Sequence, residues 1–179
     1  MTGSMVIQGG EQRGDDDAWP RVAYTLPDGH LTSSEFAFFE GRIYGASEPA
    51  RQTSTDDLWI LHYFPDRPDD RWHPSRQRDA QGLPLNWYLR AGRDEVDDHF
   101  RNETAARWKS MDSTLLHYEP ETGLVVAYLS QGNDVSRDEV PAGLTLHDGG
   151  VYYTGSIPFT ELENISTMRM PVPGRASAE

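Results

Sequence analysis

The chain has 179 residues, no cysteine and a formal net charge of −13, with 29 acidic and 16 basic residues. The lack of cysteine excludes disulfides, thiolate nucleophiles and cysteine-based metal sites, and the negative charge opposes attraction to nucleic acid phosphates. No apolar run approaches the ~20 residues of a membrane-spanning helix, and no signal-peptide pattern is present. We therefore expect a cytoplasmic protein with no nucleic-acid partner, no membrane partner and no cofactor.

Composition divides the chain into one domain and two tails. Residues 1–17 are rich in glycine, glutamine, serine and acidic residues, which predicts a flexible tail. Residues 18–170 contain nearly all of the apolar and aromatic residues, and a chain of this length forms one domain. Residues 171–179 are predicted to form a second flexible tail.

The first half of the domain has the composition of short β-strands. Aromatic and β-branched residues between turn residues predict strands at 19–26, 34–40, 42–45 and 58–64, the last of them central in the sheet. Residues 46–57 are predicted to form a loop. The adjacent Trp87 and Tyr88, flanked by leucines, indicate another strand or the approach to a helix.

One amphipathic helix is predicted over residues 95–110. Asp94 is suited to the N-cap, with Asp97 three residues later. Val96, Phe100 and Trp108 fall near one helical face. We expect this face to pack on the sheet.

The remaining residues return to a period of two. Residues 113–118 and 124–129, around the turn 119–123, predict a hairpin, and residues 144–147 and 151–156 predict a second one. Residues 158–170 predict a short helical turn and a last strand. Together these elements predict an α+β fold: a mainly antiparallel sheet, which could curl into a partial barrel, with one principal amphipathic helix.

The segment 71–93, called here the basic segment, differs most from the rest of the chain. It contains five of the 16 basic residues and only one acidic residue, Asp79. Arginine and aromatic residues together bind planar anions and acidic partner surfaces, and the long loop 66–84 could close over a ligand. The predicted ligand-binding residues are Arg71, Trp72, Arg76, Arg78, Trp87, Tyr88 and Arg90. In the alternative interpretation, these arginines neutralise acidic residues of the same protein.

Histidines provide the candidates for acid–base chemistry. His62, His117 and His147 each follow a leucine near the end of a predicted strand, so neighbouring strands would bring them together at one rim. We take His62, His117 and His73 of the basic segment as candidate catalytic residues; the alternative is that they are half-buried polar residues. Glu95, His99 and Glu103 share one stripe of the predicted helix, but such a stripe is typical of a solvated face, and we predict no metal site.

Two classes of function fit this sequence. The aromatic content and the loop favour a small domain that binds an anionic or aromatic small ligand, with or without cofactor-independent lyase, isomerase or hydrolase activity. The alternative is a non-catalytic acidic subunit, such as an inhibitor, an immunity protein or a phage structural component, that binds a protein with an acidic patch or assembles with further copies. No motif decides whether the chain is an enzyme.

Overall fold

The computed structural model describes residues 21–47, 57–131, 143–147 and 152–172. Every strand pairing in these ranges is antiparallel. Helical structure there is limited to the 3-10 turns Arg93–Glu95 and Phe159–Glu161, and neither has the length or apolarity to cross a membrane. The predicted α+β class is therefore wrong, because the described residues form an all-β fold without an α-helix.

The sheet has one long path and a branch. Ten strands follow one another in the order β4-β5-β3-β2-β1-β6-β7-β8-β10-β9, and β11 pairs separately with β6. The end strands β4 and β9 do not pair with each other in the described ranges, so the sheet is open and the predicted curling into a partial barrel is also wrong. The strands are β1 Ser34–Phe39, β2 Arg42–Ser47, β3 Asp57–His62, β4 His73–Pro74, β5 Trp87–Gly92, β6 Asp98–Trp108, β7 Met111–Glu119, β8 Leu124–Gln131, β9 Thr145–His147, β10 Tyr152–Pro158 and β11 Leu162–Pro171.

The predicted helix 95–110 is replaced by a 3-10 turn and the strand β6. Phe100 and Trp108 are buried as predicted, but their separation of eight residues places them on one face of a strand and also within the broad apolar face of a helix. The alternation shows in the polar residues between them: Asn102 and Thr104 are buried, whereas their odd-numbered neighbours are exposed. Pairing with three other strands provides the hydrogen bonds that a helix would have made internally.

Strand β6 is the centre of the sheet because it has three neighbours. β11 pairs along one edge, while β1 and β7 share the other edge, with β1 opposite residues 98–102 and β7 opposite residues 105–108. Between them, the Thr104 amide donates to Ser33 Oγ at 2.8 Å, and the Ser33 hydroxyl donates to the Thr104 carbonyl at 3.2 Å. Ser33 thus makes the hydrogen bonds to Thr104 that a paired strand would make at this point. The sheet divides here into a first wing, β1–β5, and a second wing, β7–β10.

Each wing has its own hydrophobic cluster. The first wing buries Phe39, Tyr44, Ile60, Trp72 and Ala91. The second wing and the end of β6 bury Leu26, Ala106, Trp108, Met111, Leu115, Val125, Ala127, Leu129, Tyr153 and Ile157. Between the clusters, Asn102 Nδ2 donates to the carbonyls of Leu31 and Thr32, both at 3.0 Å. This polar contact ties the segment 21–32 to β6.

Most of the predicted strands are confirmed. β1 and β2 form a hairpin whose turn places Glu40 and Gly41 at φ of 48° and 77°, the left-handed region that favours glycine. β3, β5 and both hairpins of the second half are present, as are the 3-10 turn and last strand near the C-terminus. The predicted strand 19–26 is wrong in its described part, because residues 21–26 form only isolated bridges. The predicted tail 1–17 and residues 173–179 lie outside the described ranges.

Candidate functional site

Strands β3, β4 and β5 divide the predicted site residues between the two sides of the first wing. Side chains alternate along a strand, and residues directly opposite in the register share a face. Trp72 belongs to the core cluster of this wing, and Trp87 packs against it. The other side, called here the open face, carries Asp57, Trp59 and Leu61 of β3, His73 of β4, and Tyr88 and Arg90 of β5.

A row of rings crosses the open face. The Trp59 and Tyr88 rings meet edge to face with centroids 5.3 Å apart, and the His73 ring lies 5.7 Å from Tyr88. His73 is exposed, and the two larger rings are half-buried. Arg90 lies opposite Trp59 in the register and forms an ion pair with Asp57 through Nε and Nη2. The open face therefore combines accessible aromatic surface with a positioned guanidinium group.

Trp72 and Trp87 have structural contacts on the core side. Trp72 is 1% exposed and packs against Tyr44 and His62, with ring centroids 5.2 and 6.0 Å away. The Trp87 indole N–H donates to the Pro65 carbonyl at 3.1 Å. Trp72 thus anchors the long loop in the core, and it could contact a ligand only if this core opened.

The structure does not bring the three candidate catalytic histidines together. His62 lies on the core side of β3, His73 lies on the open face, and His117 lies on β7 in the second wing. Burial lowers the pKa of both His62 and His117, although a hydrogen bond with the Asp66 backbone opposes the effect at His62 and the Glu119 carboxylate opposes it at His117. Both imidazoles therefore stay neutral at a lower pH than an exposed histidine. The side chain of His147 lies outside the described residues.

The basic segment is held in place by its one acidic residue. Asp79 is 5% exposed, and its Oδ1 accepts hydrogen bonds from the backbone amides of Gln81 and Leu83 at 2.9 and 2.8 Å. Its Oδ2 lies 2.7 Å from Arg21 Nη2. Desolvation raises the pKa of Asp79, but the Leu83 and Gln81 amides and Arg21 together outweigh it, so the pKa is lowered. The loop is thus tied to the segment that precedes β1.

The arginines of the basic segment differ in their contacts. Arg71 pairs with Glu40 at 2.8 Å and with Asp69 at 2.7 Å, which lowers the pKa of Glu40 and lowers that of Asp69 to about 2. Arg78 donates to backbone carbonyls of its own loop. Arg76 is exposed and has no hydrogen bond or ion pair within the described residues. Neutralisation of internal acidic residues therefore describes Arg71 and Arg90, whereas Arg76 remains available to solvent.

Two half-buried tyrosines form a contact that the sequence analysis did not identify. The Tyr24 and Tyr63 rings lie 4.4 Å apart. Burial raises the pKa of both, that of Tyr63 to well above its ordinary value. Gly45 of β2 makes room for this contact, because a Cβ there would lie 2.8 Å from Tyr63 Cε2. A glycine inside an aromatic strand was the one local signal of such a close approach.

The stripe of Glu95, His99 and Glu103 does not exist, because the helix that would align it is absent. His99 on β6 lies with its Nε2 3.5 Å from Glu35 Oε2, whereas Glu95 is in the 3-10 turn, where its Oε2 accepts a hydrogen bond from the Gly92 amide at 2.7 Å. Within the described ranges, no group of three or more histidine and carboxylate side chains could hold a metal ion.

Of the predicted site residues, the open face gathers His73, Tyr88 and Arg90. It adds Trp59, which the sequence analysis counted among the aromatic residues but did not assign to the site. Comparison of the chain with protein-family models, with curated proteins and with solved structures gives no match. The open face offers both accessible aromatic contact and a charged donor.

Proposed function

We propose that the chain is a non-catalytic binding protein that holds a small aromatic anion on the open face. The observation that supports this most directly is the row of His73, Tyr88 and Trp59 rings beside Arg90. A planar ligand lying on this row would contact two aromatic side chains, and each aromatic pair contributes about 0.5–1.5 kcal/mol beyond the burial of its area. The ligand would therefore be oriented by stacking and selected by charge.

Arg90 can supply the charge selection while it keeps its internal partner. Its ion pair with Asp57 uses Nε and Nη2, and a guanidinium has five N–H donors in a fixed plane. Arg90 Nη1 has no hydrogen-bond or ion-pair partner among the described residues. The carboxylate thus holds the guanidinium in one orientation, and a ligand sulfonate or carboxylate would accept from Nη1.

The positions of the histidines favour binding over acid–base catalysis. His62 faces the core, and His117 belongs to the other wing, so neither could exchange a proton with a ligand on the open face. His73 alone is accessible there, with Tyr88 as its ring neighbour. A single exposed imidazole beside an aromatic ring provides a polar contact for the ligand.

The proposal is tested with naphthalene-2-sulfonate as the probe and ligand-observed NMR as the measurement. We expect the full chain to bind it, Trp59→Ala to weaken binding about tenfold, equivalent to ~1.4 kcal/mol, and Arg90→Gln to weaken binding of the sulfonate but not of naphthalene itself. Phe64→Ala is the matched control, since Phe64 is 65% exposed and lies outside the open face. Absence of binding, or equal binding by the Trp59→Ala and Phe64→Ala variants, would contradict the proposal.

A further inference from the structure

Strand β11 has one paired edge and one edge that is unpaired in the described ranges. β11 pairs only with β6 there. The Val172 amide donates to the His99 carbonyl of β6, and peptide groups in an antiparallel strand alternate in direction. The N–H and C=O groups of Thr167 and Arg169 therefore point away from β6. Such unpaired groups are able to hydrogen-bond a strand of another chain.

This edge is longer than the two ends of the sheet path. β4 has two residues, one of them Pro74, and β9 has three, whereas β11 has ten. A bulge at Glu163/Ser166, with Asn164 at a φ of 53°, interrupts β11 near its start, and Pro171, which has no N–H, ends it. Between them, Met168 is 54% exposed. Residues 165–170 are thus the part of the edge that a partner strand could use.

The charge around β11 favours a second copy of the same chain as the partner. The whole chain has a net charge of −13, which opposes self-association in general. Strands β6 and β11, however, together carry three arginines and three carboxylates, so their formal charges balance. Arg169 is already paired with Asp98. Two copies could therefore approach through this edge without the repulsion expected between acidic surfaces.

We propose that two copies of the chain form a dimer through antiparallel pairing of their β11 strands, with the twofold axis at Met168. In this register Thr167 lies opposite Arg169 of the second copy, so the outward peptide groups of both strands meet and four hydrogen bonds form. Met168 lies opposite Met168 of the second copy as a non-hydrogen-bonded pair, in which side chains are closest. The exposed methionines then cover each other, and no like charges lie directly opposite.

The test is sedimentation velocity of the full chain over a concentration series, with two charge variants. We expect the wild type to dimerise reversibly, and Met168→Lys and Met168→Glu each to weaken dimerisation by at least about tenfold, because like charges would face each other across the axis. An equimolar mixture of the two variants should dimerise again, because lysine then faces glutamate. Leu83→Lys is the matched control, since Leu83 is 45% exposed and lies far along the chain from β11.

Folding is checked separately from association. Met168 lies opposite Glu103 of β6, so the lysine introduced by Met168→Lys would face a carboxylate, and this variant should keep the wild-type circular dichroism and melting behaviour. Hydrogen exchange of the Thr167 and Arg169 amides should slow as the wild-type protein is concentrated. A wild type that stays monomeric, a folded Met168→Lys variant that still dimerises, or a variant mixture that stays monomeric would each overturn the proposal.

Discussion

The two wings bury their cores by different means. The second wing buries mainly aliphatic residues that its own strands supply, including Leu115, Val125 and Leu129. The first wing buries an aromatic core, and its largest member, Trp72, comes from the loop before β4. One wing is therefore stabilised by contacts within hairpins, and the other by a distant loop that is held by charged contacts.

This difference has a consequence for function. Because Trp72 closes the core side of the first wing, Trp59, Tyr88 and Arg90 are left on the opposite, accessible side. Half-buried aromatic residues on a sheet supported from behind form a rigid binding surface. The first wing therefore offers an accessible face to a ligand.

The largest losses of stability are expected from substitution of the two buried tryptophans, Trp72 and Trp108. Trp72→Ala and Trp108→Ala should each lower the free energy of unfolding by about 3–5 kcal/mol, because each removes a nearly fully buried indole. Denaturant titration measures the loss. Hydrogen exchange should separate the wings: Trp72→Ala should accelerate exchange in β3 and β5, and Trp108→Ala in β7 and β8. Equal acceleration in both wings for either variant would show that the wings are one cooperative unit.

A smaller loss of stability is expected from a substitution at Asn102, where the two wings join. Asn102→Ala removes the side-chain donor to the Thr32 carbonyl and one of the two donors to the Leu31 carbonyl, which keeps the Thr104 hydroxyl. An unsatisfied buried acceptor costs about 1–3 kcal/mol. Exchange in both wings should accelerate, because the change lies between their clusters. Glu103→Ala, one residue away on the exposed side of β6, is the control and should leave the free energy of unfolding nearly unchanged. An Asn102→Ala variant with an unchanged free energy of unfolding would mean that a water molecule replaces the side-chain amide as the donor.

The contacts of Asp79 that hold the loop of the first wing should weaken at acidic pH. The pKa of Asp79 is lowered in the fold, so its charged contacts stabilise the protein above the ordinary carboxyl pKa and are lost as pH falls through the lowered value. Asp79→Asn should therefore be less stable than the wild type at neutral pH, and the difference should narrow as pH falls below 3.8, the ordinary value. Denaturant titrations of both proteins across this range measure it. A difference independent of pH would remove the charge of Asp79 from the explanation.

The smallest effect is expected in the basic segment. The double variant Arg76→Ala and Arg78→Ala should change the free energy of unfolding by no more than about 0.5 kcal/mol, because Arg76 has no partner in the described ranges and Arg78 contacts only loop carbonyls. Arg71→Ala, which breaks pairs with Glu40 and Asp69, is the comparison and should destabilise more. Equal changes in melting temperature for the double variant and for Arg71→Ala would show that the exposed ion pairs of Arg71 contribute no more to stability than Arg76 and Arg78 do.

Strands that pair with their sequence neighbours were predictable from the sequence alone. Alternation together with turn residues at 40–41 and 119–123 indicates hairpins, because the turn itself sets the register of the strands on either side. The same local signals indicated the last strand, and Phe100 and Trp108, the two large apolar residues of β6, were correctly expected to be buried. These features depend only on residues close together in the chain.

Tertiary structure decided whether residues 98–108 form a helix or a strand, and which side of the first wing is accessible. Phe100 and Trp108 fit both periods, and the burial of Asn102 and Thr104 is favourable because residues 31–33, about 70 positions earlier in the chain, accept and donate hydrogen bonds there. Likewise, Trp72 and Tyr88 lie on opposite sides because β3, β4 and β5 pair in one register and Trp72 packs in the core of this wing. The contact that holds the loop, between Asp79 and Arg21, joins residues 58 positions apart in the sequence. Contacts between residues so distant in the chain have no periodic signal in a single sequence, because burial depends on the strands that pack together and not on local spacing.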